Sequence, residues 1–132
     1  MEKDKPTKTR SIAVDFDGTL ATYNGFKGVE VLGEPIPAMI AKVKQALAEG
    51  ADVTIFTARV NPGDGGGQDA LDATRSYLLI AAWCQKHLGQ ILAISHEKSR
   101  RFKEMWDDRA KQVLKNTGVF LEELVEASAE KR

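Results

Sequence analysis

The sequence predicts an α/β fold built on a mostly parallel sheet. Three observations lead there. Apolar runs of strand length alternate with longer segments whose apolar residues recur at helical spacing. The first run is nearly continuous in apolar residues, as in a central parallel strand. Polar groups follow directly after the runs, and in open α/β sheets the carboxyl ends of the strands meet in one crevice.

Along the chain, the first strand is expected over residues 11–16, around Ile12-Ala13-Val14, and Gly18-Thr19 marks the turn after it. Residues 20–34 lack a strong period and contain Gly25, Gly28 and Gly33; they predict a loop with a short strand or flap around 29–32. Pro35 and Pro37 open a helix carrying Met39, Ile40, Val43, Ala46 and Leu47, and Gly50 stops it. A second strand is expected over 52–58, with Val53, Ile55 and Phe56 as its apolar body. The glycine-rich stretch 61–67 lacks the spacing of a phosphate-cradling loop and predicts a mobile loop. Asp69 or Asp72 is placed to cap a helix running to about His87, with Leu71, Leu78, Leu79, Ala82 and Trp83 as its apolar face. Further strands are expected over 91–94 and 102–106, with a short fifth at Val113 and Leu114. Asn116 or Thr117 begins the last helix, with Val119, Phe120, Leu124 and Val125 as a buried stripe. Glu122 and Glu123 near its start and Lys131-Arg132 after its end suit the helix dipole.

The 132 residues suit one domain over 11–132 behind a flexible, charged lead at 1–10. Nineteen basic and nineteen acidic side chains give no net charge, so nothing global steers the chain to nucleic acid or an anionic membrane. Cys84 is the only cysteine, which excludes an intrachain disulfide and a cysteine metal cluster and leaves a buried thiol as the expectation. No apolar stretch has the length of a membrane span, and the lead has no apolar signal core. A cytoplasmic protein without a membrane partner is therefore expected, and a homo-oligomer stays open.

Asp15 and Asp17 follow the first apolar run at i and i+2, so an extended chain points both carboxylates the same way. An unrelieved carboxylate at a buried strand end is costly, and a hard dication would relieve it. A plain acidic turn after a strand would also explain the pair. Thr57 and Arg59, Lys98, and Asp107 with Asp108 follow the other strand candidates. Asp15 is placed as either metal ligand or phosphoryl nucleophile. Asp17 can serve as acid and base, Thr57 can donate to a phosphoryl oxygen, and Lys98 can offset negative charge. Asp107 or Asp108 can complete a Mg2+ site, which takes a few carboxylates plus waters and substrate oxygens.

Asp15-Phe16-Asp17-Gly18-Thr19-Leu20 resembles the first motif of the haloacid dehalogenase-like (HAD) hydrolase superfamily. Thr57, Lys98 and Asp107-Asp108 resemble its second, third and fourth motifs in the same order. Thr57-Ala58-Arg59 and Trp106-Asp107-Asp108-Arg109 are similar to small phosphatases of the polynucleotide kinase-phosphatase type. The resemblance implies a three-layer Rossmann-like fold, with residues 21–34 leaving room for a minimal flap and no large cap domain. It implies a magnesium-dependent phosphomonoester hydrolase with an aspartyl-phosphate intermediate. Asp15 would be nucleophile and ligand, and Asp17 acid-base, with its backbone carbonyl on the metal. Thr57 and Lys98 would hold the phosphoryl group, beside Gly18, Ala58 and Arg59 in the substrate site. Asp108 would be the preferred ligand, with Asp107 supporting it. The substrate is then a phosphorylated small molecule or nucleotide. Alternatives are a nucleic-acid 3′-end phosphatase and a non-enzymatic metal-binding accessory protein.

Other side chains carry two readings each. Arg59 and Arg109 suit a phosphate contact or a structural ion pair. Arg100, Arg101 and Lys103 compete with Lys98 for its role, and the run suits a nucleic-acid backbone or solvent. His96 ranks below the aspartates, and His87 gives it no zinc-binding spacing. Trp83 and Trp106 fit core patterns. Tyr23 and Phe26, in the flap, suit stacking on a base or packing of the flap itself.

Overall fold

The computed structural model describes residues 10–130. Its elements are β1 (Ser11–Asp15), α1 (Pro37–Ala48), β2 (Asp52–Phe56), α2 (Gly67–Leu88), β3 (Ala93–Ser95), β4 (Glu104–Trp106) and α3 (Leu121–Glu130). The four strands are parallel and ordered β3-β2-β1-β4, an α/β fold of Rossmann-like type. β1 is central, which is why Ile12, Ala13 and Val14 are at most 1% exposed. Among the described residues no helix is long and apolar enough to cross a membrane.

The chain steps from β1 to β2 to β3 in one direction through α1 and α2. Right-handed crossovers then set both helices on the same face of the sheet. Ile12, Val14, Val53 and Ile55 form a core cluster there with Val43 and Ala46 of α1 and Ile80, Trp83, Cys84 and Leu88 of α2. Burial pushes the Cys84 thiol up to about 11, as suits an inert core cysteine. β3 and β4 lie at opposite edges, so the link 96–103 must cross the sheet. It crosses on the other face: Phe102 meets Phe56 edge-on at 6.0 Å, and Arg101 pairs with Asp52 at 3.0 Å. Ala13 and Thr54 lie side by side on that face, buried and small.

Several expected boundaries and faces differ. β2 stops at Phe56, because Thr57 caps a 3-10 turn over Ala58–Val60 by accepting from the Arg59 N–H at 3.2 Å. No strand forms around 29–32; the segment is held by turns and side-chain bonds. The third and fourth strands shorten to β3 and β4, and Ile91 is exposed. Neither Asp69 nor Asp72 caps α2, since Gly66 at φ +67° precedes it without a side-chain cap. The buried face of α2 is Ala73, Ser76, Ile80, Trp83, Cys84 and Leu88, while Leu71 and Leu78 face solvent. The Trp83 ring sets that rotation: it meets Phe16 edge-on at 4.9 Å and donates Nε1–H to the Gly33 carbonyl at 2.9 Å.

The fifth strand is reduced to one antiparallel bridge, Val113–Phe120. Asn116 at φ +63° and Gly118 at φ +73° turn the chain between them, so the last helix opens later than expected. Val119 and Phe120 precede α3, and Leu124 and Val125 are exposed instead of forming a buried stripe. Arg10, placed by the sequence in the flexible lead, is held by Glu104 at 2.5 Å and by Glu49 at 3.4 Å. The rest of the lead and Lys131-Arg132 lie outside the described residues.

Candidate functional site

The sheet's carboxyl edge opens into a cavity of about 630 Å³. Asp15, Asp17, Thr57, Ala58, Arg59, Asp107 and Asp108 line it, together with Tyr23, Phe26 and Val29 from the segment after β1. Asp15 is the last residue of β1, and Asp107-Asp108 follow β4, the neighbouring strand. Parallel pairing in register therefore brings the two acidic segments together. One oxygen each from Asp15, Asp107 and Asp108 lies within 4.8 Å of the others. Burial first, then the charges of Asp107, Asp108 and Asp17, push the Asp15 carboxyl up to about 7.

Two local devices fix this cluster. The Thr19 hydroxyl donates to Asp108 Oδ1 at 2.9 Å and accepts from the Asp108 N–H at 2.9 Å. Thr19 thereby ties the loop after β1 to the loop after β4. Gly18 sits at φ +88°, and a Cβ there would lie 2.8 Å from Asp108 Oδ2. Only glycine permits that approach.

The turn after β1 closes on itself through backbone bonds. The Phe16 carbonyl accepts from Leu20 and Ala21, and the Ala21 carbonyl accepts from Gly18. Among the described residues no backbone N–H in these turns reaches the Asp17 carbonyl. The carboxylates of Asp15, Asp107 and Asp108 are a hard-oxygen donor set of the kind Mg2+ takes, with its remaining positions left to water and substrate.

The Asp17 side chain points elsewhere, into a fork from Arg59: Nε to Oδ2 at 2.7 Å and Nη2 to Oδ1 at 3.1 Å. The Arg59 side chain is only 7% exposed, and its Nη1 is buried without a partner among the described residues. Nη2 also donates to the Val31 carbonyl at 3.2 Å, which holds the segment after β1 over the cavity. Thr57 is buried; its oxygen accepts from the Arg59 N–H, and among the described residues its hydroxyl proton has no acceptor.

Lys98 does not join this set. It is exposed in the link after β3 and does not line the cavity. The cationic side chains on the cavity wall are Arg59 and Arg109. His96 is absent from the lining, and the His87 ring packs 4.7 Å from Trp83. Asp72 and Ser76 of α2 also line the cavity, and sequence reasoning gave them no site role. Thr19 was legible only as part of a turn; its position four residues after Asp15 was the signal for more.

No protein-family model matches the chain, and no curated protein matches it. A solved structure of a conserved protein from Bacteroides thetaiotaomicron is similar over 92% of this chain and 91% of its own, with 22% identity and a TM-score of 0.47. A likeness of that depth decides nothing about chemistry, which rests on the geometry above.

Proposed function

We propose that the chain is a magnesium-dependent phosphomonoester hydrolase of the haloacid dehalogenase-like kind, working through an aspartyl-phosphate. The observation that carries the proposal is the cluster of Asp15, Asp107 and Asp108 oxygens at the floor of the cavity. Repulsion there favours a bound cation, and an anionic substrate then completes the charge balance.

Asp15, Asp108 and the Asp17 carbonyl would hold Mg2+, with Asp107 in support. Bound there, the ion would offset charge on the phosphoryl oxygens. The Asp15 carboxylate attacks phosphorus, and the bond from phosphorus to the alcohol oxygen breaks. Asp17 gives its proton to that oxygen. Water then attacks the phosphorus of the aspartyl-phosphate, Asp17 takes a proton from it, and Asp15 and inorganic phosphate separate. Thr57 donates its hydroxyl proton to a phosphoryl oxygen. Arg59 must leave Asp17 for Asp17 to move protons, and an incoming phosphate is a competing partner for the same guanidinium. Lys98 can act only if the link carrying it moves toward the cavity.

Phosphate release from a generic aryl phosphate and a panel of phosphorylated compounds, with and without magnesium, tests the proposal. Metal-dependent release, with a phosphoenzyme lost in Asp15→Asn, is the expected result. Absence of metal-dependent release from every compound would count against it.

A further inference from the structure

The wall of the cavity above the aspartates is aromatic. Tyr23 and Phe26 line it and remain 42% and 61% exposed, a poor arrangement for residues whose only task is packing. Both belong to a segment whose base is fastened. Thr22 N–H bonds the Glu34 carbonyl at 2.8 Å, the Gly33 carbonyl takes the Trp83 indole, and Glu30 pairs with Arg75 of α2 at 2.7 Å. The tip between these anchors contains Gly25 at φ +106° and Gly28 at φ +111°, with open space around both. The Phe26 ring lies 5.3 Å from the Arg59 guanidinium carbon. One side chain therefore touches the ring at the mouth and the carboxylate of Asp17 at the floor. Arg59 keeps Nη1 buried and without a partner among the described residues, so this junction has a donor to spare.

A polymer fits the same mouth poorly. The basic run that begins at Lys98 leaves the cavity end of the sheet and descends to the opposite end. There Arg101 pairs with Asp52, the first residue of β2, and Lys103 N–H bonds the Ser11 carbonyl, at the first residue of β1. The cavity itself is lined by Asp15, Asp17, Asp72, Asp107 and Asp108 against Arg59 and Arg109, which repels a chain of phosphates. Its volume of about 630 Å³ lies in the range of small-molecule sites, about 300–1,000 Å³.

We propose that the site takes a small phosphomonoester whose alcohol half carries a flat ring, a nucleoside monophosphate being the simplest, with Tyr23 and Phe26 stacking on the ring. The inference rests on the phosphomonoester chemistry proposed above. Binding by Asp15→Asn full-length protein in magnesium, measured calorimetrically, tests it apart from turnover. Adenosine 5′-monophosphate should bind at least ~10-fold tighter than ribose 5-phosphate, the size expected of base stacking. Adding Phe26→Ala should bring that ratio toward unity, and Phe26 is exposed enough for the variant to fold. Equal affinities, a ratio unmoved by Phe26→Ala, or tighter binding of a 3′-phosphorylated oligonucleotide would each overturn the proposal. Hydrolysis of ribose 5-phosphate by the unaltered protein without preference for the nucleotide would remove the ring site and leave the hydrolase standing. Ring-dependent binding with no hydrolysis would do the reverse.

Discussion

At Asp15 the folded chain raises a carboxyl from 3.8 to about 7. The folded state therefore binds this proton more tightly than the unfolded state does. The resulting stability is fully present below about pH 4 and is lost as pH rises through about 7. Metal-free protein should thus lose unfolding temperature over that interval, and Asp15→Asn should lose less, as scanning calorimetry at stepped pH will show. An identical pH profile in the two proteins would remove Asp15 as the cause. Gly18 makes a second point. An alanine there would put Cβ against Asp108 and force a left-handed backbone, at about 1–2 kcal/mol for the backbone alone. Gly18→Ala should weaken magnesium binding about tenfold or more while leaving the circular dichroism of the fold in place; unchanged binding would separate Gly18 from the acidic cluster.

Elements differ in how firmly they are tied to this core. α2 is fixed by Trp83, which bridges Phe16 and the Gly33 carbonyl, and the fastened segment after β1 depends on that bridge. Among the described residues α3 has no comparable anchor. Leu121, Leu124 and Val125 are 43%, 49% and 60% exposed, so their burial contributes little to the folded state. Truncation after Phe120 should therefore change stability by less than about 1 kcal/mol in urea unfolding. A much larger loss would mean that α3 is covered in solution, by the sheet or by another copy.

For the whole molecule, the proposed magnesium site would couple folding to metal binding. Magnesium that binds the folded chain alone should raise the unfolding temperature with concentration, by about 2.7 kcal/mol of added stability at a hundredfold excess over Kd. Asp108→Ala should flatten that response; without metal, the loss of one repelling charge should offset the loss of the Thr19 bond and leave the unfolding temperature near that of the unaltered chain. A full magnesium response in Asp108→Ala would pass the ligand role to Asp107.

The sequence by itself determined the α/β class, the first strand, α1 and the convergence of Asp15, Asp17, Thr57, Arg59, Asp107 and Asp108. Those follow from local apolar runs and from the rule that parallel strands place their carboxyl ends together. Tertiary structure alone decided which face of α2 is buried, because leucines at Leu71 and Leu78 score as core residues whichever way the helix turns. It alone decided that Thr19 clamps Asp108 and that Arg59 grips Asp17, since each bond joins segments far apart in the chain. Lys98 fell outside the cavity for the same kind of reason. Its place after β3 was readable, but the path of the link was not: it must cross the sheet to reach β4, carrying its charges across the face toward the opposite end.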